Sequence, residues 1–341
     1  MNVPPTGIPK GLCNFTEAFL FFIGEPVMDI KPFKTFEEQI QILKSRNLSF
    51  VNEDAAIQIL STYSYYEIIN GYKGVGIEDG ENYRDGVTFE QLFNLFLMDK
   101  KIRAAISVAI QELESHLRTA LSYTVAKHYT ADQEKYLQRR NYEKGDTKHG
   151  RSQRSQLLYK CSKILQDNSH PYKHYREVHG NIPPWILVKG MTFGNLITFY
   201  KLQKSAIKEE VVSLMTGIPK ELISKEVKDM IVNIFYFLLA HRNNTAHVSR
   251  AYNFRTEKSK IRYCKTFHDR MRISQEDYKK GSGQNGLNTL AMSLSWFKTH
   301  NSPTIKLTHE LLVAINDYLK LYPEDKAFIN KEIGGEIIPH V

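Results

Sequence analysis

The chain has 341 residues, 42% of them hydrophobic, and carries 46 Lys and Arg against 37 Asp and Glu, a formal net charge of +9. That is enough apolar material for one large domain or two ordinary ones, and the positive excess favours a polyanionic partner, nucleic acid or membrane surface, without choosing between them. Cys13, Cys161 and Cys264 are too far apart for a disulfide framework or a thiolate zinc site, and fit a reducing cytoplasm.

The longest apolar runs, AFLFFI (18–23) and IFYFLLA (234–240), fall well short of the roughly 20 residues that cross a bilayer. MNVPPTGIPKG at the start has no basic-then-apolar signal pattern. We expect no membrane association and a cytoplasmic protein. Residues 1–30 read as an irregular segment. TFEE (35–38) is a capping box that opens a helix, with Thr35 as N-cap and Glu38 three residues on. A second helix is expected over 52–70, beginning at Asn52, and the glycine-rich stretch 71–82 as turns. TFEQ (88–91) opens a pattern in which apolar residues recur at helical spacing to about Lys127 without Gly or Pro. That predicts one long helix, or two nearly collinear ones, of about 60 Å.

Residues 138–156 read as a polar, basic loop or partly ordered segment, followed by a helix near 156–167. Pro183–Pro184 sets the first turn of a helix over WILVKGM, and FGNLITFYKL continues helically. A long amphipathic helix is expected over 219–250, a second basic stretch over 255–286, and closing helices near 287–299 and 308–321. TGIPKGL (6–12) echoes TGIPKEL (216–222), but the flanks differ and no repeat is inferred. Strand signals are scarce, so the fold class is all-α.

The stretch FLLAHRNNTAHVSRAYN (237–253) sets a cluster of cations and amides directly behind the most apolar run. On a helix continued to 250, Asn243, His247 and Arg250 fall on one stripe, with Arg242 about 140° away from His247. A kink or a helix end would bring Arg242 closer. An imidazole moves protons near neutral pH, and a guanidinium clamps a phosphate and offsets charge growing on its oxygens. RNA supplies its own nucleophile, the 2′-OH, so this pair suits metal-free RNA cleavage to a 2′,3′-cyclic phosphate and a 5′-OH. Spacing alone favours a solvated helix face, since an arginine and a histidine five apart occur by chance in many proteins.

RNNTAH (242–247) matches the R-x4-6-H motif of the HEPN superfamily of all-α ribonucleases, and the wider pattern resembles the Abi-like (AbiD/AbiF-type) abortive-infection family of bacterial phage-defence proteins. The similarity extends to KPFKTFEEQIQILKSRNL (31–48), YSYYEIINGY (63–72), FNLFLMDKKIRAAISVAIQELESHLRTAL (93–121) and PPWILVKGMTFGNLITFYK (183–201), in order. It implies a HEPN-like helical bundle with a long central helix and additional helices, over 31–255. Residues 256–341 would add a basic loop and C-terminal helices packed on the same domain. It also implies a toxin-like endoribonuclease held in check by, or assembled with, a small non-coding RNA. Carried over by position, Arg242 and His247 are the catalytic pair, Asn243 the polar residue after the arginine, and Arg250 and Asn253 the trailing R-x-x-N. Relatives often have a second histidine where this chain has Val248. One such motif per chain implies a homodimer that pairs two copies.

Glu114 sits in QELESHLR, either as an intrahelical partner of Arg118 or as an acid orienting His247 or Arg242 across the bundle. His170, His174 and His179 lack a completing Cys or carboxylate, so no metal or other cofactor is expected. Seven Lys/Arg against two acids at 138–160, and ten against four at 250–280, are interleaved with aromatic residues. Phosphate contacts plus base stacking hold flexible single strands, so Arg139, Arg140, Arg151, Arg154, Lys258, Lys260 and Arg262 are candidate RNA contacts. The rival reading is a non-catalytic RNA-binding protein that uses the same fold as a scaffold for a structured RNA. A DNA-binding regulator is weaker, because no helix-turn-helix pattern is visible.

Overall fold

In the computed structural model, residues 32–247, 249–300 and 302–337 are described. The irregular segment expected over 1–30, Cys13 and Val248 lie outside these residues. Helix α1, Phe36–Ser45, opens on the capping box as expected: Thr35 accepts from the Glu38 amide and the Glu38 side chain accepts from the Thr35 amide. Asn52 caps α2, Glu53–Tyr63. The helix expected to reach residue 70 breaks at Ser64, whose φ of 62° no right-handed helix tolerates. One π-helical turn, Tyr66–Asn70, follows. The turn-rich stretch then contains a two-stranded hairpin, β1 (Ile77–Asp79) with β2 (Asn82–Tyr83), pairing Ile77 with Tyr83.

Helix α3, Phe89–Tyr129, is a single element of 41 residues capped by Thr88. Its stripe of Leu92, Ile102, Ile106, Ile110, Leu113, Leu117 and Leu121 is fully buried, and each such side chain contributes about 1.5–3 kcal/mol of transfer free energy. Beyond it come α4 (Gln133–Tyr136), the short ladder β3 (Thr147–Lys148) with β4 (Arg151–Ser152), and α5 (Gln153–Leu165). The first basic stretch is therefore partly ordered. Next are α6 (Tyr172–Val178), α7 (Pro184–Leu187, with proline in its first turn), α8 (Phe193–Lys201) and α9 (Ser205–Thr216). Gly217, at φ 71°, ends α9 in the left-handed region, where glycine pays no Cβ penalty.

The helix expected over 219–250 is α10, Lys225–Ala246. Pro219 opens only a 3-10 turn, and Ser224 caps the α-helix by accepting from the Val227 amide. The second basic stretch holds two short helices, α11 (Lys265–His268) and α12 (Gln275–Lys279). The chain closes with α13 (Leu287–Ser295), α14 (Pro303–Leu321) and α15 (Lys326–Ile333), the last of which had no sequence expectation. The result is mostly helical, with α3 as the axis on which α7, α9, α10 and α14 pack. Gln91 and Asn94 of α3 reach Asp325 and Tyr322 at 2.7 and 3.0 Å, tying the C-terminal helices to the start of α3.

Candidate active site

Along α10 the buried residues are Met230, Ile231, Ile234, Phe235, Phe237, Leu238 and His241. The helix then leaves the core: Arg242, Asn243, Ala246 and His247 are exposed. It stops at Ala246, so the stripe expected of Asn243, His247 and Arg250 does not form. His247 occupies the C-cap at φ −91° and ψ 13°, and Arg250 lies beyond the helix. No glycine ends α10. Its free carbonyls are taken by the groups that follow: Thr245 Oγ1 donates to Arg242 O at 3.0 Å, His247 N to Asn243 O at 3.2 Å, and Ser249 N to Asn244 O at 3.3 Å. Asn244 Nδ2 donates to Arg250 O at 2.8 Å and folds the chain back. The side chains of Arg242, Asn243 and His247 make no hydrogen bond or ion pair among the described residues.

The strap that follows, residues 249–253, is pinned from inside. Asp99 of α3 is fully buried, and its carboxylate accepts from the amides of Ala251 at 2.9 Å and Tyr252 at 2.7 Å. The same carboxylate accepts from Tyr72 Oη at 2.7 Å and Arg103 Nη1 at 2.6 Å. Burial pushes the Asp99 carboxyl above the usual range, and these four donors pull against it. Arg250 Nη1 donates to Gly71 O at 2.9 Å, and Asn253 Nδ2 to Glu332 Oε2 at 2.7 Å. The motif's trailing R-x-x-N residues are thus braces to the Gly71 turn and to α15.

The sequence reading missed Asp99, Tyr72 and Arg103. Their signal was available: Asp99 and Arg103 interrupt the apolar stripe between Phe96 and Ile106, and a charge on such a stripe is stable only if paired.

Glu114 pairs with Arg118 on its own helix, and Arg118 also bonds the carbonyls of Val188 and Met191. It sits 15 residues along α3 from Asp99, about 22 Å down the axis. Among the basic candidates, Arg140, Arg151, Lys258 and Arg262 are exposed, with no side-chain partner among the described residues. Arg139 is exposed and reaches Ser155 Oγ at 3.2 Å. Arg154 is half-buried and donates to Arg139 O and Tyr142 O at 3.2 and 2.9 Å, a structural use. Lys260, also half-buried, lies 3.9 Å from Glu257. The 258–262 segment is tied to Asn233 of α10 through Lys260 O and the Arg262 amide, about 20 Å back along the helix from His247. His170, His174 and His179 form an exposed ring cluster with centroids 6.2 and 5.3 Å apart, and no described group of three His, Cys, Asp or Glu side chains is placed to hold a metal ion. No helix among the described residues is long and apolar enough to cross a membrane.

The Abi-like protein family matches residues 58–253, from within α2 through the strap. The chain belongs to that family, and membership implies abortive-infection phage defence. No curated protein and no solved structure matches the chain.

Proposed function

We propose that this protein is a metal-independent endoribonuclease of the HEPN type that acts in phage defence as a homodimer. The observation that carries the reading is the free, exposed Arg242–His247 helix end, backed by a strap whose fixed backbone costs a buried carboxylate. A solvated helix end needs no such support. In the reaction, His247 takes the proton from the ribose 2′-OH, whose oxygen attacks the adjacent phosphorus. Arg242 offsets the charge that grows on the non-bridging oxygens, and Asn243 supplies a neutral donor beside it. The 5′-oxygen leaves and is protonated by a second group, which the partner's copy of the motif supplies. The products are a 2′,3′-cyclic phosphate and a 5′-OH. Glu114, occupied by Arg118, is left out of the step. The exposed arginines at 140 and 151 offer phosphate contacts for substrate or for a small regulatory RNA.

The test expresses the wild type, Arg242→Ala and His247→Ala in a bacterial host and maps RNA ends with chelator present. Cyclic-phosphate ends and toxicity confined to the wild type support cleavage. Equal RNA co-purification from all three proteins without new ends would replace it with the scaffold reading.

A further inference from the structure

Beside the strap, a half-open cavity of about 270 Å³ is lined by three elements: the π-helical turn, α3 and the strap. Ligand pockets usually measure about 300–1,000 Å³, so this one suits a single nucleoside and nothing larger. Its lining includes Tyr66, Glu67, Asn70, Arg103, Ser249 and Arg250. Ser249 is two residues after His247, so its Cα is no more than about 7 Å from that of the motif histidine. The two sites are therefore within one nucleotide step of each other.

The wall chemistry is that of a base and its phosphate. Tyr66 is 75% exposed, a large ring held at the mouth where a monomeric fold gains nothing from it, and an exposed ring is a stacking platform for any base. Glu67 and Asn70, one turn apart, present an acceptor-only carboxylate and an amide to the same space. Arg103 uses Nη1 on Asp99 and Tyr72, and Arg250 donates to Gly71 O and to the Tyr252 side chain, which leaves N–H donors on both guanidiniums. The backbone is also distorted to make this wall. Ser64 sits at φ 62° and ψ 151°, a region that costs a non-glycine residue about 1–3 kcal/mol. Shortly after it, Tyr66–Asn70 winds as a π-turn, a rare conformation that is frequent at functional sites. Without that break, a continuous α2 would carry Tyr66, Glu67 and Asn70 along a different path.

We propose that this cavity is the subsite for one nucleotide of single-stranded RNA beside the scissile phosphate, and that it selects bases with an exocyclic amine. Tyr66 stacks on the base, Glu67 accepts from the amine, Asn70 reads the neighbouring ring edge, and Arg250 meets the phosphate. Uracil, which has no exocyclic amine, is the disfavoured base. The placement beside the cut rests on the nuclease reading; the pocket itself does not.

The test uses the full chain and 2′-O-methyl trinucleotides of A, C and U, which lack the nucleophile, so binding is read without cleavage. Fluorescence anisotropy should show A and C trimers binding more tightly than U. Tyr66→Ala should weaken all three about tenfold, the loss of one stacked base, with the thermal midpoint unchanged because the ring is exposed. Glu67→Leu, which removes the acceptor, should erase the preference of A and C over U while retaining U binding. Equal affinities for Tyr66→Ala and wild type, or a base preference that survives Glu67→Leu, overturn the proposal. If the wild type cleaves no RNA yet binds the trimers through Tyr66, the nuclease reading falls and the pocket stands. If it cleaves and Tyr66→Ala binds normally, the reverse holds.

Discussion

The Asp99 carboxylate accepts a 2.7 Å hydrogen bond from the amide of Tyr252, 153 residues away in the sequence. With the Ala251 amide on the same oxygen, it fixes the path of the chain leaving His247. Asp99→Ala leaves the Arg103 guanidinium and two amides buried and unpaired, a change that costs about 3–5 kcal/mol. Asp99→Asn keeps an oxygen for the amides and should lose less. Urea unfolding of the three proteins measures this directly; an Asp99→Ala variant as stable as wild type would mean that the strap is held by something else.

Arg140 and Arg151 are exposed and unpartnered among the described residues. If each contacts a phosphate of a single strand, log Kobs against log salt should become shallower by about 0.7 for each one removed. Arg154→Ala is the contrast: it should lower stability, because its Nη1 serves two carbonyls inside the fold. Salt titrations of RNA binding that give identical slopes for wild type, Arg140→Ala and Arg151→Ala would remove these residues from the interface.

The parts of this fold that are set locally were visible in the sequence, and the parts set at long range were not. Thr35 with Glu38, Asn52 and Thr88 each satisfy an amide three residues on, so their helix starts could be read from a few letters. The end of α10 could not. It has no glycine or proline to announce it, and it stops because Asn244 reaches Arg250 and because Asp99, on another helix, captures the amides beyond. The candidate site divides in the same way. Arg242 and His247 are candidates by motif, and Asp99 and Arg103 are legible as charges on an apolar stripe, but their partners, Tyr72 and the strap amides, are set at long range.

His241, one residue before Arg242, is fully buried between Phe237 and Phe254, with ring centroids at 4.6 and 5.0 Å. Burial, and secondarily Arg255, lowers its pKa to about 3. The folded value lies below the unfolded value of about 6.5, so the neutral ring's contribution is complete above that pH and is lost as the pH falls toward 3. The loss is about 1.4 kcal/mol per pH unit. Burial raises the carboxyl of Glu210, but hydrogen bonds from Lys127, Lys220 and His128 outweigh it and hold it at about 2. Its contribution is lost only below the usual carboxylate range. Burial also lowers the pKa of His116 and raises that of Asp99, so the share of His241 is read as the difference in slope between wild type and variant. Denaturant unfolding from pH 6.5 to 5 should show a slope for wild type that His241→Phe flattens. A slope unchanged by the substitution would place the acid sensitivity elsewhere.

One motif per chain supplies one imidazole to a reaction that needs a proton taken from the 2′-OH and another given to the leaving 5′-oxygen. The proposed homodimer would resolve this by setting two helix ends against each other, and Val248 adds no second histidine within the motif. General acid–base catalysis contributes about 10²–10⁴-fold, so His247→Ala and Arg242→Ala should each lose activity on that scale while keeping the wild-type melting point, because both side chains are exposed. Refolding wild type with an excess of His247→Ala should lower cleavage below simple dilution, since each mixed dimer then holds one imidazole where the reaction uses two. A monomer that cleaves RNA at full rate in sedimentation-checked solution contradicts the dimer and requires the second proton-transfer group to come from the same chain.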